Sequence, residues 1–407
     1  MSEILFLAHR VPFPPNRGDK IRSHHLLRKL ATIAPVHVGC FSESAEDRAS
    51  VGEVDVISAS HCVIQRSKSL VLAGAQAVLT GQPVSLTAFR SAKLDEWVRR
   101  TLATRPISTI FVFSGQMGQY IPDDFQGRVI IDLCDVDSAK FENYAAAGDG
   151  VWLNSREARL MSDEEERLAK RCDATLLITQ AEAELFRSRL TDPTGVRVEV
   201  IGNGIDAGSF GPLSANSHTQ LTLEHGPHFV FTGQMDYRPN ESAALWAIQS
   251  FLPEARKRHP GAQFHVVGRN PTAELLKHKD SPGVRIWGEV PDVRPFVASA
   301  TCVLAPLQIA RGVQNKVLEA MAMARPVLLT PQAATGIDAV DGRDWMVEGD
   351  DAAAMLDRFD ALMAKPVAAE RMGEAARAFV LANHAWDAML VPLGALVRPV
   401  EEARDAA

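Results

Sequence analysis

The residues best suited to chemistry lie in the run RGVQNKVLEAMAMARPV, residues 311–327. Gly312 lets the chain turn tightly and bring its backbone close to a ligand. The free N–H groups of the helix that follows form an anion site reinforced by the helix dipole. Arg311 and Lys316 are placed to reach a phosphate. Glu319 follows Lys316 at i+3 and so projects from the same face, where a carboxylate can accept two hydrogen bonds from a ribose diol. Together these parts fit a nucleoside diphosphate. The competing reading is a solvated helix start with an ordinary Lys316–Glu319 surface pair. Val317, Leu318, Ala320, Met321 and Ala322 surround Glu319 and make a merely solvated carboxylate awkward there.

Three further stretches carry reactive side chains. PFPPNRGDKIRSHHLLRKL (residues 12–30) sets Arg17, Gly18, Asp19 and Lys20 at a helix start, with Arg22 one turn on. A phosphate approaching the helix and a solvated basic start are equally consistent with those residue types. VIIDLCDVDSAKFENY (residues 129–144) ends a strand with three aspartates, of which Asp137, or else Ser138, is expected to cap the next helix. SKSLVLAGAQAVLTGQPVSLTAFRSAKL (residues 67–94) is apolar with Lys68, Arg90 and Lys93 spaced through it. It suits a membrane interface or a plain buried helix.

The elements that must position these residues alternate between short apolar runs and helical patterns, the mark of stacked βαβ units and parallel sheets. Strands are expected at residues 4–8, 36–41, 62–65, 109–113, 129–133, 174–178 and 196–201, with helices at 21–31 and 155–170. A polar stretch, residues 214–226, reads as a linker. The alternation then restarts with strands at 228–232, 263–267, 284–287, 300–305 and 327–330, a helix at 240–259, and a helical segment at 375–407 broken at Pro392. The expectation is an α/β protein of two Rossmann-like domains, 1–213 and 214–384, with parallel sheets facing a cleft and 385–407 packing back on the first domain.

The chain has 407 residues, 46% of them hydrophobic, enough for two cores. Its net charge of −7 argues against nucleic acid as a partner. Residues 1–110 nevertheless carry 14 Lys/Arg against 9 Asp/Glu, so one end suits an anionic surface or substrate. The five scattered cysteines read as reduced thiols without zinc-site spacing. The start, Met-Ser-Glu, lacks the basic region of a signal peptide, and no apolar run approaches the roughly 20 residues of a membrane span. A cytoplasmic location with at most peripheral membrane contact is expected. Neither GxGxxG nor GxxxxGK[ST] is present, which weighs against a dehydrogenase and a nucleoside triphosphatase.

Five motifs in order, VIGNGID (200–206), FTGQMDYRPN (231–240), FHVVGRNP (264–271), VRIWGEVPDVRPF (284–296) and VLEAMAMARPV (317–327), give the chain a resemblance to GT-B glycosyltransferases of family 4. Within that family it is most similar to the sugar transferases of bacterial exopolysaccharide and exosortase (PEP-CTERM) systems. The resemblance implies a retaining transferase that needs no metal or other cofactor. It would take a UDP- or GDP-sugar in the second domain and a glycan or lipid-linked acceptor in the first. By motif, Glu319 would hold the ribose, Gly268 and Arg269 would lie beside the nucleotide, Val290 would meet the base through its backbone, and Gly233 would face the diphosphate. Gly312 and Lys316 complete the donor set.

Arg311 stands where the wider family has the first carboxylate of Glu-x7-Glu. The loop after FTG has Arg238 but not the family's usual Arg and Lys. The resemblance therefore implies that Arg311 and Lys316 compensate the leaving diphosphate. Arg17, Gly18, Asp19 and Lys20 would form the glycine-bearing loop of the first domain. Asp135 falls about where relatives place a catalytic His, and a carboxylate there can orient the acceptor hydroxyl or take its proton. An epimerase or hydrolase on the same fold, or a non-catalytic nucleotide-sugar-binding protein, are the alternatives.

Overall fold

The computed structural model describes residues 2–148, 150–212, 226–310 and 312–397. Two units result: Met1–Asn203 with the segment from Met389 onward, and Gly204–Ala388. The division falls ahead of the polar stretch read as a linker, residues 214–226, of which 214–225 lie outside the described residues.

In the first unit the strands are β1 (Glu3–Ala8), β2 (Val36–Ser42), β3 (Ser60–Gln65), β4 (Ile107–Phe113), β5 (Arg128–Cys134), β6 (Ala174–Leu177) and β7 (Val198–Val200). They form one parallel sheet in the order β3-β2-β1-β4-β5-β6-β7. β1, with the sequence EILFLA, is buried at every position. Such an unbroken apolar run is what a strand covered on both faces by helices requires. Chain order reverses between β1 and β4, so the loops after these two strands flank the switch point where open parallel sheets bind ligands. The last helix, Val391–Val397, belongs to this unit. Its end is tied to the sheet by Thr109 Oγ1 donating to the Val397 carbonyl (3.0 Å) and Arg128 Nη1 donating to the Leu396 carbonyl (2.9 Å).

A buried ion pair ties three parts of this unit together. Arg22, on the helix Gly18–Ala31, donates through Nε to Asp132 Oδ2 on β5 at 2.9 Å and through Nη1 to Asn203 Oδ1 after β7 at 3.0 Å. The side chains of Arg22 and Asp132 are 2% and 0% exposed.

The second unit has β8 (His228–Thr232), β9 (Gln263–Val267), β10 (Val284–Gly288), β11 (Cys302–Ala305), β12 (Val327–Leu329) and β13 (Met346–Val347). These make a second parallel sheet, β10-β9-β8-β11-β12-β13. Its switch point lies between β8 and β11. β13 was not expected, because two residues are too few to show a period. The helix expected over 240–259 is interrupted: Arg238–Trp246 and Leu252–Arg258 are joined by a wide π turn over Ala247–Phe251. Pro253 supplies the reason, since it cannot donate the hydrogen bond that a continuous helix requires of it.

Breaking one side of the buried pair strands the other charge in the core. Arg22→Leu is expected to cost about 3–5 kcal/mol, read as a lowered urea midpoint at unchanged slope. An unshifted midpoint would show that the pair does not hold the unit together.

Candidate functional site

The second unit's site is built from the carboxyl ends of β8 and β11. After β11 the chain reaches Gly312, whose φ of 68° is a left-handed turn that favours glycine, and enters the helix Asn315–Ala322. Val317, Leu318, Ala320, Met321 and Ala322 are buried, which fixes the helix against the sheet and sets the half-buried Lys316 and Glu319 on the remaining face. Arg311 lies outside the described residues.

Asn240 and Phe231 hold Lys316 away from bulk water. Its ammonium donates to Asn240 Oδ1 at 2.6 Å and sits 4.1 Å from the centre of the Phe231 ring, a cation–π contact that offsets part of the lost hydration. Asn240 is oriented in turn by donating through Nδ2 to the Gln234 carbonyl at 2.9 Å. Burial pushes the Lys316 ammonium down to about 7, with Glu319 pulling the other way. Burial likewise raises Glu319, opposed by Lys316. Desolvation wins at both groups. Among the described residues the Glu319 carboxylate enters no hydrogen bond or ion pair, which leaves its oxygens for a ligand. A cation with so little solvation gains more from an arriving anion than an exposed lysine does.

Glycines leave the space for that anion. Gly233, directly after β8, has φ of 155°, and a Cβ there would lie 3.0 Å from Lys316 Nζ and 2.8 Å from Asn240 Nδ2. Gly268, directly after β9, would place a Cβ 1.6 Å from the Gly233 carbonyl oxygen. The two loops therefore abut backbone to backbone. Gly268 N–H donates to the Gly288 carbonyl at 2.9 Å, adding the end of β10 to the same layer. Arg269 is exposed and donates through Nη2 to Gln234 Oε1 at 2.7 Å, while Val290 is half-buried against the core of this unit. The structure thus brings Gly233, Gly268, Lys316 and Glu319 into one neighbourhood. Phe231 and Asn240 were not singled out from the sequence. Both lie in the run FTGQMDYRPN, but only the fold aims them at Lys316.

The first unit departs from its sequence reading. Gly18 starts the helix Gly18–Ala31, with open space where a Cβ would stand. The cations around it are largely spent. Lys20 is buried and paired with Asp47 at 2.9 Å, and Arg22 with Asp132, so neither charge is presented at the helix start. Only Arg17 is exposed, and it pairs with Asp19 at 2.9 Å. Asp19 also accepts from Arg10 (2.5 Å) and lies 3.2 Å from His9 Nε2. Burial alone would raise its carboxyl, yet His9 and Arg10 hold it well below the usual carboxylate range. The loop is an ion-pair network with His9 and Arg10 from the end of β1, not a free basic patch.

Asp135 follows Cys134, which has φ of 66°, and its Oδ2 accepts from Lys140 at 3.0 Å. Asp137 accepts from the same ammonium at 3.1 Å. Burial would lower Lys140, but Asp137 and Asp135 outweigh it and raise it above the usual lysine range. Neither Asp137 nor Ser138 caps the helix Asp137–Ala146: the capping position is Val136. Its N–H donates to Glu182 Oε2 (2.9 Å) and the Ser138 N–H to Glu165 Oε1 (3.0 Å). Carboxylates from two neighbouring helices have taken the place of a local cap, and Ser138 Oγ itself donates to Glu165 Oε2 at 2.6 Å.

Residues 226–365 match the family model described as glycosyl transferases group 1. No curated protein matches the sequence significantly. Among solved structures, the sucrose-phosphate synthase of Thermosynechococcus elongatus is similar over 100% of both chains, at 17% identity and a TM-score of 0.60. A glycosyltransferase of Rickettsia africae is similar over 97% of both chains, at 14% and 0.58. Anabaena HepE, solved in complex with UDP, is similar over 100% of both, at 15% and 0.58. At these identities the likeness is one of fold, and the fold is GT-B.

If burial governs Lys316, an NMR titration of the reductively methylated protein will show one lysine with a midpoint of about 7, while exposed lysines titrate near about 10.4. Lys316→Met will remove that signal. A Lys316 midpoint in the ordinary range would show that the ammonium is hydrated and the site open.

Proposed function

We propose that this protein, whose fold is GT-B and whose residues 226–365 match the group 1 glycosyl transferase model, moves a sugar from a nucleotide diphosphate donor to a glycan or lipid-linked acceptor. The observation that carries this reading is the desolvated Lys316 beside an uncommitted Glu319 at the sheet's switch point. The diphosphate takes the Lys316 ammonium and the first-turn N–H groups as partners, aided by Arg311 and Gly312. Glu319 accepts from the ribose diol, the gap over Gly233 and Gly268 admits the pyrophosphate backbone, and Arg269 and Val290 border the base. Anabaena HepE solved with UDP-glucose supports a uridine nucleotide as the first donor to try.

In the first unit Asp135 orients the acceptor hydroxyl, with Lys140 fixing its carboxylate, and Arg17, Gly18, Asp19 and Lys20 shape the facing loop. Transfer retains configuration: the departing diphosphate, stabilised by Lys316 and Arg311, takes the acceptor's proton, and no metal or other cofactor takes part. The role is in exopolysaccharide assembly.

The protein acts at the inner face of the cytoplasmic membrane, as a peripheral partner. No helix among the described residues is long and apolar enough to cross a membrane. The helix Leu70–Thr80 carries no charge, yet its Val71 and Leu79 are 84% and 87% exposed, and Trp152 is 69% exposed. Exposed aliphatic side chains within residues 1–110, which carry 14 Lys/Arg against 9 Asp/Glu, suit an anionic bilayer surface.

A thermal-shift screen of UDP-, GDP-, ADP- and dTDP-sugars will identify the donor by a raised melting temperature. With that donor, calorimetry will show affinity lowered roughly 10- to 100-fold in Lys316→Met and in Glu319→Ala, the loss of charge-assisted hydrogen bonds. Unchanged affinity would refute the site, and full-rate nucleotide release from donor alone would refute transfer. Leu79→Glu is expected to reduce sedimentation with vesicles containing phosphatidylglycerol; sedimentation that ignores anionic lipid would remove the membrane contact.

A further inference from the structure

The first unit contains a cavity of about 570 Å³ beside β3, the edge strand of its sheet, lined by Arg48, His61, Cys62, Lys93, Glu96 and Arg100 among others. None of the roles assigned above uses it. We propose that it is a second ligand site, one that binds a phosphate-bearing group.

The case rests on where the charges go. Among the described residues, the side chains of Arg48, Lys93 and Arg100 enter no hydrogen bond or ion pair. The acids nearby are committed elsewhere. Glu43 accepts from Arg10 and Arg66, Asp47 from Lys20 and from the helix start it caps, and Asp95 from Arg99. Glu96 is the only carboxylate in the lining, against three cations. This contrasts with the helix Gly18–Ala31 of the same unit, whose Lys20 and Arg22 are each buried on an acid.

Geometry gathers the uncommitted charges. Lys93 and Arg100 lie two turns apart on the helix Ala92–Thr104 and so share a face. Arg48 comes from the helix Ala45–Ala49 across the cavity mouth. Both Lys93 and Arg100 act on the half-buried Cys62 thiol: burial raises it, and the two cations oppose that rise. A concave wall of one sign concentrates the field and draws in counter-ions. Two guanidinium groups and an ammonium match the oxygens of a phosphate better than a single carboxylate. The volume lies in the range of small-molecule sites, larger than inorganic phosphate needs. The ligand is therefore a phosphate ester or diphosphate, supplied either in solution or as a phospholipid headgroup.

Cys62 reports on occupancy in the full-length protein. Its alkylation by iodoacetamide, followed by mass spectrometry of the Cys62 peptide, is compared with and without inorganic pyrophosphate at constant ionic strength. It is then repeated with vesicles of phosphatidylglycerol and of phosphatidylcholine. Saturable slowing of about fivefold or more by pyrophosphate supports a soluble ligand; slowing by phosphatidylglycerol alone supports a headgroup. The effect should persist in Lys316→Met, which separates it from the donor site and from the fate of the reading proposed for that site. It should vanish in Arg48→Gln/Lys93→Gln/Arg100→Gln, judged as the ratio of rates with and without ligand in each protein, while the donor's thermal shift is kept. Absence of slowing by either probe in the wild type would overturn the proposal, as would slowing that survives in the triple variant.

Discussion

A lysine taken out of water is the constraint around which the second unit is arranged. Removing an ammonium from water costs several kcal/mol unless other groups replace its hydration. Here the replacements are one amide oxygen from Asn240, the face of Phe231 and the nearby Glu319. They are fewer than bulk water provides, so burial pushes the Lys316 ammonium below the ordinary lysine range. The surrounding elements follow from this demand. β8 must end in Phe231-Thr232-Gly233, because the ring supports the cation and the glycine leaves the room beside it. β9 must end in Gly268, because any side chain there would collide with the Gly233 backbone. The buried stripe of Asn315–Ala322 pins the helix against the sheet and leaves Lys316 on the face toward Phe231 and Asn240.

The first unit treats its charges differently. Arg22–Asp132 and Lys20–Asp47 are buried pairs that join the helix Gly18–Ala31 to β5 and to the helix Ala45–Ala49, and their role is to hold position. Asp19 gathers His9, Arg10 and Arg17 at the end of β1. Arg48, Lys93 and Arg100 lie instead around the cavity beside its edge strand.

How much of this the sequence discloses depends on the range of the interaction. Runs such as ILFLA and VIIDL mark buried parallel strands, because burial on both faces writes itself into consecutive residues. The Lys316–Glu319 pair was legible because both members sit on one helix turn. What needs the fold is any partnership across long sequence distance. Asn240 reaches Lys316, Asp132 reaches Arg22, and Glu165 and Glu182 take over a helix start that Asp137 was expected to cap. A run of Arg17, Lys20 and Arg22 reads as basic only until Asp19, Asp47 and Asp132 are brought to it. The π turn before Pro253 was within reach of the sequence, since the proline announces the missing donor.

On the proposed function, Lys316 is kept short of partners until a diphosphate arrives. Binding must then raise its proton affinity, and the proton must come from solvent whenever the free site is mostly neutral. Calorimetry of the identified nucleotide sugar at pH 8, in two buffers of different ionisation enthalpy, measures that uptake directly. The account predicts uptake approaching one proton at pH 8 and little at pH 6, where the ammonium is already charged. Binding with no uptake at pH 8 would contradict it, because the diphosphate would then be held without drawing on the desolvated lysine.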